Sequence, residues 1–313
     1  MGGCTRRLGN RISILCEWRL LDAGANMKIA YLVLAHARPK QLLRLIDRLD
    51  GPDISFHIHI DLSAGDTIFR EAVCTLAKRT NVFFVERQKC NWGSMSLVEA
   101  ELRCLKNAFD YIPRFDVAVL LSGADYPIKS RSAIQAFFER YSGQSIMHHW
   151  SLPSEKWANE TGGLERYQFW NVKIGRSFLP ILGPRRFSNT VIDYCWNAVA
   201  TRFPIRRRFP IGLTPYGGSM WWALTRDCAK YVLDFIDENP NCTRFFSHVK
   251  IPDEMYLQSI IMSSRYGDRV LNQPLHFLSW QTFGAPSPGS SRKSICRTYP
   301  LHHVCLPGSS ILR

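Results

Sequence analysis

No run of about 18 apolar residues occurs in the chain, so the sequence offers no transmembrane helix. None of the 10 cysteines forms a Cys-x-x-Cys pair or sits beside paired histidines, which disfavours a zinc site. The chain is also too long to need a disulfide framework, and the cysteines read as reduced, small core residues. Negative charge is scarce: 26 Asp and Glu face 40 Lys and Arg, a formal net charge of +14. That imbalance leaves three anionic partners open, namely nucleic acid, a membrane surface or a phosphate-bearing substrate. No RNA- or DNA-binding signature accompanies the basic residues, so nucleic acid is set aside. Internal repeats are missing too, which removes solenoids and propellers.

What is present is a globular composition, with 46% hydrophobic and 12% aromatic residues over 313 positions. Residues 1–26 carry no pattern that joins the rest and read as an extension outside the fold. Arg6-Arg7 and Ile12 to Cys16 faintly resemble a signal peptide, but Glu17 and Arg19 interrupt the apolar part. Met1-Gly2-Gly3-Cys4 fails the myristoylation pattern because position 6 is Arg. Met27 to Ala35 is then a buried first strand, and Met27 itself would make a natural cytosolic start. A helix through Leu42, Leu45, Ile46 and Leu49 follows, then a strand Phe56 to Ile60, a helix near 65–78 and a short strand 82–85. Met95, Val98, Leu102, Leu105 and Phe109 share one helical stripe, and Val117 to Leu121 is another buried strand before a helix from Ile134 to Tyr141. Strands alternating with helices in this way predict an α/β fold with a mainly parallel sheet and helices on both faces.

Right-handed crossovers bring the loops after parallel strands to one edge of the sheet. Those loops are His36-Ala37-Arg38-Pro39, Asp61-Leu62-Ser63 and Ser122-Gly123-Ala124-Asp125-Tyr126-Pro127. Each alone is an ordinary turn; three on one edge describe a ligand site. Residues 151–215, rich in Arg, Pro, Trp and Tyr, read as an insertion over that edge, either a solvated basic surface or an acceptor-side or membrane-facing lid. Regular structure resumes with the glycine turn and aromatic strand Tyr216-Gly217-Gly218-Ser219-Met220-Trp221-Trp222 and continues to about Trp280. Within it, Pro252-Asp253-Glu254 reads as the acid-headed N-terminus of a helix covering Tyr256 to Met262.

Six stretches now stand in order: Ala35-His36-x-Arg38-Pro39, His57-Ile58-His59-Ile60-Asp61, Trp92-Gly93-Ser94-x-Ser96-Leu97-Val98, Leu121-Ser122-Gly123-x-Asp125-Tyr126-Pro127-Ile128-Lys129, Gly217-Gly218-Ser219-x-Trp221-Trp222-Ala223-Leu224 and Pro252-Asp253-Glu254. Together they resemble the core-2/I-branching β-1,6-N-acetylglucosaminyltransferase family, which includes peptide O-xylosyltransferases, in its bacterial-type short form. The resemblance covers residues 28–282, about four-fifths of the chain. It implies a GT-A-like nucleotide-sugar transferase fold and an inverting, β-linking transfer, GlcNAc from UDP-GlcNAc in the first place. UDP-xylose is the alternative donor, and a glycan or glycolipid hydroxyl is the acceptor.

In that family the glutamate of Pro-Asp-Glu is the catalytic base, here Glu254. Inversion by a single displacement needs one carboxylate to take the acceptor proton. The resemblance places His36, Arg38, Asp61, Ser122, Gly123 and Asp125 on the donor side, and Arg166, Trp222 and Trp280 on the acceptor side. It implies no cofactor beyond the UDP-sugar and no metal, and no Asp-x-Asp pair occurs in the sequence. It also implies a cytoplasmic protein, with peripheral membrane contact open to the basic residues of 185–208. A sugar-nucleotide-binding pseudoenzyme and a basic nucleic-acid-binding protein are the rival classes.

The transferase domain is expected to span residues 27–285, and residues 286–313 to form a divergent, poorly ordered tail. The family usually ends near Phe-Ala-Arg-Lys-Phe-Asp, whose lysine meets the donor diphosphate. Reading Val304 to Leu312 two nucleotides later permits Val-Phe-Ala-Arg-Lys-Phe-Asp-Pro, which points to a frameshift near 287–293. No lysine is therefore assigned to the diphosphate.

Overall fold

Ile29–Ala35 forms the first strand because both of its faces are apolar and both are covered. Ala30 and Leu32 enter one core, while Ile29, Tyr31, Val33 and Ala35 enter the other. The computed structural model describes residues 26–174, 177–181, 183, 195, 198, 202 and 205–276. Residues 1–25 of the expected extension, Arg185 and Arg186, Trp280, and the whole expected tail lie outside the described residues.

In chain order the regular elements are β1 (Ile29–Ala35), α1 (Pro39–Leu49), β2 (Ile54–Ile60), α2 (Asp66–Leu76), β3 (Val82–Phe84), α3 (Met95–Tyr111), β4 (Val117–Ser122), α4 (Arg131–Arg140) and β5 (Ser145–Ser151). They continue with α5 (Glu165–Gln168), β6 (Trp170–Ile174), β7 (Ser177–Ile181), β8 (Tyr216–Thr225), α6 (Arg226–Glu238), α7 (Pro240–Phe246), α8 (Tyr256–Met262) and β9 (Val270–Leu271). The main sheet has 7 strands in the order β3-β2-β1-β4-β8-β5-β9, and β6 and β7 form a separate hairpin. All neighbouring pairs in the main sheet are parallel except the two that β8 makes, with β4 and β5. Helices α3, α6, α7 and α8 pack on one face, and α1, α2 and α4 on the other. This is the α/β, mainly parallel arrangement with helices on both faces expected from the sequence.

The orientation of β8 positions the site. Its N-terminal residues lie at the edge where β1, β2 and β4 end, so its glycines join the three loops there. The insertion is partly regular. It contributes α5 and the β6–β7 hairpin, and it places residues of 155–168 against the edge.

His57 of the His57-Ile58-His59 stretch is structural. It is fully buried, with Nδ1 2.6 Å from Asn107 Oδ1, Nε2 3.1 Å from Ser55 Oγ and its ring stacked on Phe83 at 5.1 Å. Burial pushes its pKa down from 6.5 to about 4, partly opposed by the Asn107 bond. The unfolded chain therefore binds a proton that the folded chain refuses. The His57 contribution is complete above pH 6.5 and is lost as pH falls towards 4. Between about pH 7 and pH 5 the stability of wild type relative to His57→Gln is expected to shrink by about 2 kcal/mol, read from urea midpoints at both pH values. A difference that stays constant with pH would show that His57 is not the group refusing the proton.

Candidate functional site

The edge is built from strand ends. After β1, His36 and Arg38 are exposed, and Arg38 adopts a left-handed backbone (φ 57°) so that its carbonyl can receive Gln41 N at 2.8 Å and start α1. After β2, the Asp61 carboxylate accepts Ser63 N at 2.8 Å and Ser63 Oγ at 2.5 Å. Arg87 clamps the same loop, donating to the carbonyls of Ile60, Asp61, Leu62 and Gly65 and pairing with Asp66 at 2.9 Å. After β4, Gly123 backs onto β1: a Cβ there would stand 2.6 Å from Ala35 Cβ. Asp125 is wholly buried. It accepts Ser122 N at 2.8 Å and faces His276 Nε2 at 3.1 Å, so it shapes the loop from inside. Expected as a donor contact, Asp125 has no accessible surface to offer; this corrects the reading from sequence.

Hydrogen bonds string this edge to the acid motif. Leu62 N donates to Gln88 O at 3.0 Å, Gln88 Nε2 to Ser96 O at 2.6 Å, and Ile251 N to Gly93 O at 3.2 Å. Thus the loop carrying Trp92-Gly93-Ser94 braces the segment that carries Glu254. The acids do not head helix α8, as the sequence predicted. Pro252–Glu254 makes its own 3-10 turn after Ile251, which is left-handed at φ 55°, and Met255 (φ −139°) separates the turn from α8. Glu254 therefore does not sit at the N-terminus of α8, and a side chain holds it instead.

That side chain is Arg166. Its Nη1 donates to Glu254 Oε2 at 2.6 Å, its Nε to Glu160 Oε2, and its guanidinium lies 3.6 Å from the Trp157 ring centroid. Lys250 Nζ donates to the other Glu160 oxygen. Arg166 and Lys250 hold the Glu160 carboxyl below the ordinary range despite its burial. The Arg166 side chain is 7% exposed and that of Glu254 34%, so the arginine is internal and the glutamate open. Arg166 was expected to touch an acceptor; its guanidinium is instead occupied by two carboxylates and a ring. Its place is beside Glu254.

Asp253 points the other way. It is buried, and desolvation with the neighbouring Glu254 charge pushes its pKa up to about 7. Below it, on α3, lies Glu101, 1% exposed, receiving Trp222 Nε1 at 3.3 Å. Trp222 is 1% exposed, which overturns its assignment to the acceptor side. In β8 alternate residues face opposite sides, and it is Trp222 that enters the core while Trp221 stacks on His276 at 4.8 Å. Sequence reasoning missed Glu160, Lys250, Trp157, Glu101 and Arg87. Lys250–Glu160, Trp222–Glu101 and the Arg87 bonds join positions far apart in sequence, and the nearer Glu160 and Trp157 contacts with Arg166 follow no periodic signal.

An open carboxylate held by a buried arginine thus stands at the loop edge of a mainly parallel sheet, where ligands collect. A family model described as Core-2/I-Branching enzyme matches residues 29–304, and the chain belongs to that family of glycosyltransferases. It is 22% identical over 258 residues to Xylosyltransferase 1 of Homo sapiens, covering 81% of this chain and 24% of that protein. It is 22% identical to Xylosyltransferase 2 of Rattus norvegicus over 285 residues (88% and 30%), and 20% to Xylosyltransferase oxt of Drosophila melanogaster over 260 (82% and 26%). The chain thus spans about a quarter to a third of the length of these relatives. Among solved structures, 4-diphosphocytidyl-2C-methyl-D-erythritol synthase from Anaerococcus prevotii aligns with 77% of this chain and 97% of its own, at 10% identity and a TM-score of 0.31.

Removing Arg166 should be costly because it leaves Glu254 and the half-buried Glu160 without their shared cation. Arg166→Met is expected to lower stability by about 3 kcal/mol, and Arg166→Met with Glu160→Leu to recover more than half of that loss in a thermal-melt double-mutant cycle. Additive losses would show that the two side chains are not coupled.

Proposed function

We propose that this chain transfers a sugar from a UDP-activated donor to a glycan or glycolipid hydroxyl with inversion, Glu254 acting as the general base. The carrying observation is the partly open Glu254 carboxylate, held by Arg166 at the edge where the strand-end loops meet. In this mechanism the acceptor hydroxyl loses its proton to Glu254 as its oxygen attacks the anomeric carbon, and UDP departs from the opposite face. Arg166 donates to the Glu254 carboxylate and fixes its direction. Growing charge on the leaving diphosphate is met by basic side chains, with exposed Arg38 and His36 at the donor edge. Ser122 and Gly123 border the same edge, with Asp61 and Asp125 shaping its loops, while Trp280 belongs to the acceptor side of the reading.

UDP-GlcNAc is the first donor to test. The names of the xylosyltransferase relatives favour UDP-xylose as the second. UDP release with each donor, in the presence of candidate glycans, decides between them. The reading also keeps a cytoplasmic location and peripheral contact with an anionic membrane. Arg206 and Arg208 are exposed, but Arg207 is buried against the Phe245 ring at 3.8 Å and is not part of such a surface. Among the described residues no helix is long and apolar enough to cross a membrane.

Glu254→Gln keeps the shape of the side chain and removes the base. Transfer is expected to fall by roughly 10²-fold or more while UDP binding, measured by calorimetry, stays within a few-fold. Asp253→Asn should cost less than Glu254→Gln. Retention of most turnover by the glutamine variant would remove Glu254 from its role.

Metal independence is the second expectation. Initial rates should be the same with and without EDTA. Complete loss in EDTA with recovery on adding Mn²⁺ would sink this part of the reading.

A further inference from the structure

The described residues gather four carboxyls, Glu254 and the neighbouring Glu101, Asp253 and Glu160, against three cations, Arg166, Lys250 and Lys173. Glu160 is satisfied by Arg166 and Lys250, and Glu254 by Arg166. Lys173 acts on Asp253 only through space, its ammonium donating to Trp92 O. Glu101 has the poorest company. It is 1% exposed, its Oε2 accepts one indole N–H, and its Oε1 has no partner, as is also true of Asp253 Oδ1.

We propose that Glu101 is a positioning residue for Glu254, acting through Asp253: it lies beneath the Pro252–Glu254 turn as a neutral carboxylic acid, leaving three carboxyls for three cations. This rests on Glu254 being the base. Ionised, Glu101 would add an unbalanced buried charge below Asp253 and disturb the turn, because two nearby buried carboxylates do not both ionise. Neutral, it leaves Asp253 with Glu254 as its neighbouring carboxyl, and burial together with the Glu254 charge pushes Asp253 up to about 7. Burial and the Asp253 charge both push Glu101 well above the ordinary carboxyl range, in line with this geometry.

Infrared spectroscopy of the whole protein at mildly alkaline pH tests the proton directly. Wild type is expected to show a protonated-carboxyl stretch that Glu101→Gln abolishes. No such band in wild type, or a band that survives Glu101→Gln, overturns the proposal whatever the fate of Glu254. The positioning role is read from kinetics. Glu101→Ala should lower kcat about tenfold with KM within about threefold, and Glu101→Gln, the neutral isostere, should restore kcat to within about threefold of wild type. Wild-type kcat in Glu101→Ala, or failure of Glu101→Gln to restore it, contradicts a neutral positioning group. Should Glu101→Ala fail to fold, the infrared comparison and the Glu101→Gln rate still decide the matter.

Discussion

Arg166 grips the acid turn twice, and the rest of the site depends on that double hold. Its guanidinium binds Glu254, while its own carbonyl accepts Lys250 N at 2.8 Å, one residue before Ile251 begins the turn. The same carbonyl receives Asn171 Nδ2 at 3.0 Å, which ties the β6–β7 hairpin to the same point. A buried cation is tolerable only with anions and a polarisable surface around it. Glu160 and the Trp157 face meet that need, so these residues of the insertion are structural conditions for the Arg166–Glu254 contact. Removing one partner leaves a buried charge exposed to low dielectric, which is a larger loss than the pair itself contributes.

The strong positive charge of the chain is less of a surface property than composition implies. Arg207 sits between two exposed arginines yet is internal. It donates to Phe245 O at 2.5 Å, packs on the Phe245 ring, and its backbone N donates to Gln168 O. Burial lowers its pKa to about 10, still far above neutrality. It acts as a strut between the 205–210 segment and the Gln168–Phe169 junction after α5. Buried titratable groups also oppose one another. Refusal of a proton by His57 favours folding at higher pH, whereas the raised Asp253 favours folding below its unfolded value of 3.8 and loses that advantage as pH rises through about 7. Over the range they share, their slopes cancel in part, so the net curve of the molecule hides both.

The elements most legible in the sequence were those whose side chains repeat. The first, second and fourth strands and the helix at Met95–Tyr111 emerged within a few residues of their predicted ends, because two-sided burial and a single apolar stripe leave direct marks. Strand β5 was overlooked: Ser145–Ser151 carries His148, His149 and Trp150, which break the apolar run while still pairing with β8. The β6–β7 hairpin went unread inside a stretch dominated by arginine and proline. At the site, Glu254 was legible through its motif, but its support was not. The Arg166–Glu254 bond joins positions 88 apart, and no local pattern records it. Trp221 and Trp222 show the limit well, since alternation says that one is core and does not say which.

Strand direction was the other fact that periodicity withheld, and it changes what the glycines mean. Gly217 and Gly218 look like a turn in sequence, yet both lie within β8. Their requirement is closeness. A Cβ on Gly218 would stand 2.3 Å from His148 O, and one on Gly217 2.4 Å from the Trp157 ring. The first clash is with backbone and cannot be relieved by a rotamer change; the second would push the ring on which Arg166 rests. The same stretch receives the acid segment, through Gln258 Nε2 to Ser219 O at 2.8 Å and Ser259 Oγ to Tyr216 O at 3.3 Å. Only an antiparallel β8 brings its glycine end to the edge where the parallel strands finish. There the absent side chains leave room for Trp157, Trp157 carries Arg166, and Arg166 holds Glu254.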